Sequence, residues 1–187
     1  NTPKWFLIKN TDDLISSMIN KSKTISESLG KINDLDELEK NKLYKTIALG
    51  ALKYHILKVD PKKKILFNPD ESIEFNGNTG PFIQYTYARI KSILNKSDNI
   101  SNEYNELKLN VKEKELIILL CEFKNTVNNS IKALNPSLIA NHIYELVKLY
   151  NSYYQTYTIL GDKKINSFRV FLSEKVAIQI EKSMSLL

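Results

Sequence analysis

The chain has 187 residues, of which 42% are hydrophobic and 26% charged, and this composition is typical of a globular protein. No apolar run approaches the roughly 18–20 residues of a membrane span, no secretory signal is recognised, and the single cysteine, Cys121, excludes an internal disulfide. We therefore expect a cytoplasmic protein. Its net charge of +6 favours a polyanionic partner, although a surplus of this size is a weak signal.

Two helices are predicted in the first third of the chain. The first begins at Thr11, with acidic residues in its first turn, and ends at Gly30. The second begins near Asp34 and ends before Pro61, because the residue that precedes a proline disfavours helical geometry. Gly50, inside this second helix, is interpreted as a point of close approach by another element.

The segment from residue 65 to residue 81 contains two short apolar stretches followed by a turn. The stretches 65–67 and 73–75 allow a short β-hairpin near 65–75. The composition of 76–80 predicts a tight turn, and Pro81 suits the first turn of a helix, with Thr79 or Asn78 as its cap.

The rest of the chain is predicted to be helical, with a polar segment over 97–110 that is loop in part. The helices are expected from Pro81 to about Asn95, from Glu113 to Lys124 with a possible continuation to Leu134, from Leu138 to about Tyr157, and from Ser167 to Leu187. We expect the third-from-last of these, 113–124, to be buried and to carry Cys121 in the core. The fold class is thus mostly α, a helical bundle.

The sequence offers no active site. His55 and His142 lie inside helical patterns and have no cysteine or histidine at metal-ligand spacing, so neither is expected to be catalytic or to bind a metal. Phosphate-binding loops, nucleophile elbows and zinc-helix motifs are missing. We predict neither a catalytic residue nor a metal site in this chain.

The most informative pattern is the run of aromatic residues that ends at Arg89. On a helix, Phe82, Tyr85 and Arg89 share one side, because they are spaced i, i+3 and i+7. Two rings beside a guanidinium can stack against unpaired bases. The spacing alone nevertheless favours rings packed in the core, with Arg89 reaching the surface. A second aromatic cluster comprises Tyr144, Tyr150, Tyr153, Tyr154 and Tyr157.

Several segments, in order, resemble the arginyl-tRNA synthetases. They are Gly50–Tyr54, Phe67–Ile73, Phe75–Ile90, Leu134–Pro136, Tyr153–Gln155, Phe168-Arg169 and Ser183–Leu187. The resemblance covers residues 11–187 and is strongest over 47–94. The Asp-Ala-Leu-Arg element of that family is here Gly50-Ala51-Leu52-Lys53, so both of its charged ends are altered.

The resemblance implies two domains and a tRNA-binding role. Residues 1–75 would end the connection from a catalytic domain, and residues 76–187 would form the helical anticodon-binding domain. The residues implied to contact the anticodon loop are Phe82, Tyr85, Arg89, Tyr154 and Met184, and this reverses the preference for plain packing. Asn78, Gly80 and Pro81 would fix the turn and helix start that aim Phe82.

Both active-site motifs of the family are missing, so the resemblance implies a fragment that is inactive alone. The full enzyme would use ATP with Mg to attach arginine to its tRNA, as a cytoplasmic monomer, and would bind arginine and ATP in the missing catalytic domain. The partner expected for this chain is the tRNA for arginine, with no cofactor and no membrane. The alternative is a freestanding helical module that binds RNA or protein.

Overall fold

The computed structural model describes residues 10–28, 30, 32, 34–97, 108–161 and 163–187. Seven helices lie in these ranges: α1 (Thr11–Ser28), α2 (Glu37–Leu57), α3 (Pro69–Ser72), α4 (Gly80–Asn95), α5 (Val111–Ala133), α6 (Ser137–Thr156) and α7 (Lys163–Ser185). No β-strand occurs in them, which confirms the mostly helical prediction. None of the described helices is both long and apolar enough to cross a membrane.

The chain divides into two compact units, of which the first runs to Gln84 and the second begins at Tyr85. The division expected from the sequence after residue 75 stays a prediction about function. In the first unit, α1 and α2 enclose a core that includes Met18, Ile47 and Ala51. The Asp36 side chain and Glu39 form a capping box that starts α2.

The expected β-hairpin near residues 65–75 is wrong. Residues 64–68 have no regular structure, and Pro69–Ser72 forms the short helix α3 instead. The Asn68 side chain accepts a hydrogen bond from the backbone N–H of Asp70, and Pro69 occupies the first helical turn, where its missing N–H costs nothing. Local capping chemistry therefore decides the conformation of this segment.

The predicted turn over 76–80 is present, and the structure selects Thr79 over Asn78 as the side chain that starts α4. The Thr79 Oγ1 atom accepts a hydrogen bond from the backbone N–H of Phe82 at 3.3 Å. Gly77 adopts a positive φ of 69°, a conformation that glycine reaches without steric cost.

The second unit contains most of α4 together with α5, α6 and α7. Helix α6 is the most deeply buried, with Ile143, Leu146, Val147, Tyr150 and Tyr153 each fully buried. Helix α7 begins at Lys163, four residues before the predicted start, and buries Val170, Val176 and Ile180. Most of the segment 97–110, expected to be loop in part, lies outside the described residues.

Two expectations about α5 are wrong. The helix extends from Val111 to Ala133, but most of its apolar run is not buried: the buried residues of the helix are Glu113, Leu116 and Ser130. Cys121 is exposed, as is Ile118. Since α5 packs along one side only, its remaining apolar residues stay partly in contact with solvent.

Candidate nucleic-acid interface

The side chain of Arg89 lies against two tyrosine rings from different helices. Its guanidinium carbon, Cζ, is 5.0 Å from the ring centroid of Tyr85 on α4 and 5.0 Å from that of Tyr154 on α6. Both distances are within the range of a favourable cation–π contact. The structure thus brings together three of the residues predicted to bind RNA, although Tyr154 is 65 residues away from Arg89 in sequence.

Asn151 on α6 is hydrogen-bonded to this arginine. An Nη atom of Arg89 donates a hydrogen bond to the Asn151 Oδ1 atom. The Asn151 amide nitrogen in turn donates to Thr86 Oγ1 at 2.8 Å and to the carbonyl oxygen of Val147 at 2.9 Å. Because Asn151 and Thr86 are both buried, the guanidinium is attached to a rigid part of the unit.

The charge of Arg89 is not neutralised by the described residues, among which it forms no ion pair. The chain has only two arginines, and the second behaves differently. The Nε of Arg169 donates to Glu113 Oε1 at 3.0 Å, in a pair whose side chains are 16% and 5% exposed. Arg169 is therefore paired with a carboxylate, whereas Arg89 lies beside two rings and pairs with no carboxylate in the part of the chain that the structure describes.

Phe82 and the residues before it belong to the first unit. Phe82 is half-buried and precedes Tyr85 by one helical turn on α4. Asn78 is held from α2, because its Oδ1 accepts from the Tyr54 hydroxyl at 2.7 Å and its carbonyl oxygen accepts from the Lys58 Nζ at 2.7 Å. The start of α4 is packed inside the protein, since Gly80 and Pro81 are buried.

Arg89, Tyr85, Tyr154 and Asn151 form a group that we call the Arg89 cluster. No hydrogen bond or ring contact among the described residues joins Met184 to it. Met184 lies half-buried in the last turn of α7. Its assignment to the same surface consequently depends on the resemblance alone.

The second aromatic cluster separates into buried and accessible members. Tyr150 and Tyr153 are fully buried, whereas Tyr154 is 39% exposed. Burial raises the pKa of Tyr150 to about 12, and burial together with the nearby Glu113 carboxylate raises the pKa of Tyr153 further. Only Tyr154 of these three therefore presents an accessible ring for stacking.

Asn151 and Thr86 are not among the residues predicted from the sequence. A signal for Asn151 exists: Val147, Tyr150, Asn151 and Tyr154 follow helical spacing, so an amide lies on a largely apolar face. A polar residue on such a face needs a partner inside the protein. The identity of that partner, Arg89, is not visible from α6 alone.

The two histidines have packing partners. The Nε2 atom of His55 lies 3.2 Å from the carbonyl oxygen of Leu66, and the ring of His142 lies between Thr126 and Gln179. Burial is the main cause that lowers the pKa of each. In the described part of the chain, no group of three metal-binding side chains is found.

Comparison with protein families matches residues 83–187 to the DALR anticodon binding domain. Among curated proteins, the chain is 52% identical over 184 residues to the arginine–tRNA ligase of Flavobacterium psychrophilum, covering 96% of this chain and 30% of that protein. It is 44% identical over 187 residues to the arginine–tRNA ligase of Phocaeicola vulgatus, covering 96% of this chain and 31% of that protein. The chain thus spans under a third of the length of these relatives.

Two solved structures have the same fold. The arginyl-tRNA synthetase of Thermus thermophilus superposes with a TM-score of 0.86 at 23% identity, over 94% of this chain and 30% of that one. The arginyl-tRNA synthetase of Plasmodium falciparum superposes with a TM-score of 0.83 at 22% identity, over 96% of this chain and 32% of that one. At these identities the likeness shows the fold alone.

Proposed function

Because the chain belongs to the family of DALR anticodon-binding domains, we propose that it binds the anticodon loop of a tRNA for arginine, as part of an arginine–tRNA ligase. The relatives that carry this name support the amino-acid specificity. Residues 76–187 are the binding domain in this proposal, and residues 1–75 lead into it.

The main support for the proposal is the guanidinium of Arg89, which lies between Tyr85 and Tyr154 and pairs with no carboxylate of the described residues. Unpaired loop bases stack on aromatic rings, and phosphates pair with arginine. Tyr154 offers an accessible ring, and Arg89 offers donors that the described carboxylates do not occupy. Phe82 and Met184 are the further residues proposed to contact the loop, and Asn78, Gly80 and Pro81 fix the turn and helix start that aim Phe82.

The aminoacylation chemistry belongs to the longer protein. We assign the binding of arginine and of ATP with Mg to residues outside these 187, since the described residues present no nucleotide-binding motif. The whole enzyme would act as a cytoplasmic monomer. No step of that reaction is routed through the Arg89 cluster, whose part is to hold the tRNA.

Binding to anticodon stem-loops tests the proposal directly. Fluorescence anisotropy would compare a labelled stem-loop from an arginine tRNA with the same stem-loop carrying altered loop bases, at two salt concentrations. We expect tighter binding to the arginine loop, with the preference retained at the higher salt. Equal binding to both loops that disappears as salt is raised would contradict the proposal, because counterion release alone would then explain it.

A further inference from the structure

We propose that Asn151 is a positioning residue for RNA binding: it orients the guanidinium of Arg89 toward a phosphate of the bound loop and leaves its positive charge intact. This inference rests on the proposed function and deepens it. Asn151 is buried under the surface, at 9% exposure, so it acts through Arg89 rather than by touching the RNA.

The orientation of the Asn151 amide is fixed by its own surroundings. The carbonyl oxygen of Val147 can only accept a hydrogen bond, and it lies 2.9 Å from one amide atom. That atom must therefore be the nitrogen, which also reaches Thr86 Oγ1 at 2.8 Å. The amide oxygen is consequently left facing Arg89, where it accepts from the guanidinium.

A neutral acceptor at this position matters because it does not cancel the positive charge of Arg89. Glu113 shows the alternative in the same unit, where its carboxylate pairs with Arg169 and cancels the charge. Asn151 restricts the rotamers of Arg89 in a similar way but contributes no negative charge. The arginine is thereby pre-organised for a phosphate, and its attraction for a polyanion is undiminished.

The rings of Tyr85 and Tyr154 complete the restraint without neutralising it either. Both lie 5.0 Å from the guanidinium carbon, and an aromatic face attracts a cation through its quadrupole and not through a formal charge. Among the described residues, Asn151, Tyr85 and Tyr154 approach Arg89 from α4 and α6, and in this proposal the N–H groups of Arg89 that do not bond to Asn151 meet the RNA.

Three variants of the full 187-residue chain separate orientation from charge: Asn151→Ala, Asn151→Asp and Arg89→Ala. With the arginine stem-loop as the probe, we expect Asn151→Ala to weaken binding by about tenfold, the effect of one hydrogen bond to a charged group. We expect Asn151→Asp to weaken it further. Asn151→Asp should also reduce the magnitude of the slope of log affinity against log salt by about 0.7, the value of one lost phosphate contact on a single strand.

A double-mutant cycle shows whether Asn151 acts through Arg89. In the Arg89→Ala background, the Asn151→Ala change is expected to have no further effect on RNA affinity. Additive losses would overturn the inference, because a merely structural residue would weaken binding in either background. Asn141 is an exposed asparagine on the same helix. The variant Asn141→Ala is the matched control and should bind like the wild type.

Nitrogen-15 NMR of the guanidinium groups shows, without any RNA, whether the Arg89 side chain is held in one orientation. The chain contains only two arginines, so Arg169 serves as the internal standard. Asn151→Ala should broaden or average the Arg89 signals and leave those of Arg169 unchanged; unchanged Arg89 signals would overturn the positioning role. If the wild type holds Arg89 in place but fails to bind the stem-loop, the proposed function is wrong and the phosphate assignment falls with it.

Discussion

Gly80 lies against Gly50 so closely that no side chain fits between them. A Cβ atom placed on Gly80 would be 2.5 Å from the carbonyl oxygen of Gly50, and one placed on Gly50 would be 2.3 Å from the Nε2 of Gln84. The backbones of α2 and α4 therefore touch at the point where α4 begins. This contact and the Asn78 hydrogen bonds beside it fix the start of α4 within the first unit.

Gly80→Ala is expected to destabilise the chain by about 1–3 kcal/mol, because the new methyl group meets a backbone carbonyl that cannot move aside easily. Gly50→Ala is the matched variant. The three atoms nearest to its methyl group all belong to the end of the Gln84 side chain, which can shift by giving up its 3.2 Å hydrogen bond to the carbonyl oxygen of Thr46, and alanine gains up to about 1 kcal/mol of helix propensity. Thermal unfolding should rank Gly80→Ala well below Gly50→Ala, and equal effects would contradict a backbone contact at Gly80.

Tyr154→Leu is expected to reduce affinity for the arginine stem-loop by about 1–3 kcal/mol, since leucine can neither stack on a base nor hold a guanidinium. Tyr154→Phe should bind nearly as well as the wild type, because the ring is retained. Neither change should lower stability much, as the side chain is 39% exposed. Binding titrations and thermal unfolding of the same samples would check both statements.

The control for this pair is Tyr144→Leu, another tyrosine of α6 that lies beside Lys148 rather than beside Arg89. It should leave RNA affinity unchanged. A similar loss of affinity in Tyr144→Leu and Tyr154→Leu would mean that aromatic content, and not the Arg89 cluster, governs binding.

The buried pair of Glu113 and Arg169 should be sensitive to the loss of one partner. Glu113→Ala leaves Arg169 without its counter-charge and Tyr153 without its acceptor, and we expect it to cost about 3–5 kcal/mol in urea unfolding. Replacing both residues, as Glu113→Leu with Arg169→Met, should cost less than the single change. The exposed pair of Lys148 and Glu145 is the control, where Glu145→Gln should cost under about 1 kcal/mol.

We expect the protein to lose stability in mild acid because of its two histidines. Burial lowers the folded-state pKa of both His55 and His142, so the unfolded chain binds protons first as the pH falls. The free energy of unfolding should therefore decrease below about pH 6.5, the pKa of an unperturbed histidine, and continue to fall through the lower folded pKa. The Nδ1 of His55 is buried and has no hydrogen-bond partner among the described residues, which makes its protonation especially unfavourable.

Glutamine at both positions provides the test of this pH dependence. The His55→Gln, His142→Gln double variant should show a flatter dependence of unfolding free energy on pH between about 7.5 and 5 than the wild type. An equally steep dependence in the variant would assign the acid sensitivity to carboxylates instead.

The elements that were predicted correctly are those decided by local chemistry. Helical periodicity predicts α1, α2, α4 and α6, and turn composition predicts the break before α4, because backbone propensity and capping act over a few residues. Segment 65–75 also obeyed a local rule, with an asparagine cap before a proline, but its apolar residues were assigned to strands. Two local signals conflict in this segment, and the asparagine cap decides its structure over the apolar stretches. No tertiary contact is needed to explain the difference.

Helical spacing is enough to place Phe82, Tyr85 and Arg89 on one side of a helix, since residues three and four apart recur on the same face. The contacts of Tyr154 and Asn151 with Arg89 follow from the packing of the second unit, because α6 reaches Arg89 through packing of its own apolar residues. Packing likewise left Cys121 exposed although it lies in an apolar run. Burial depends on which elements meet, and no pattern within one helix specifies its neighbours.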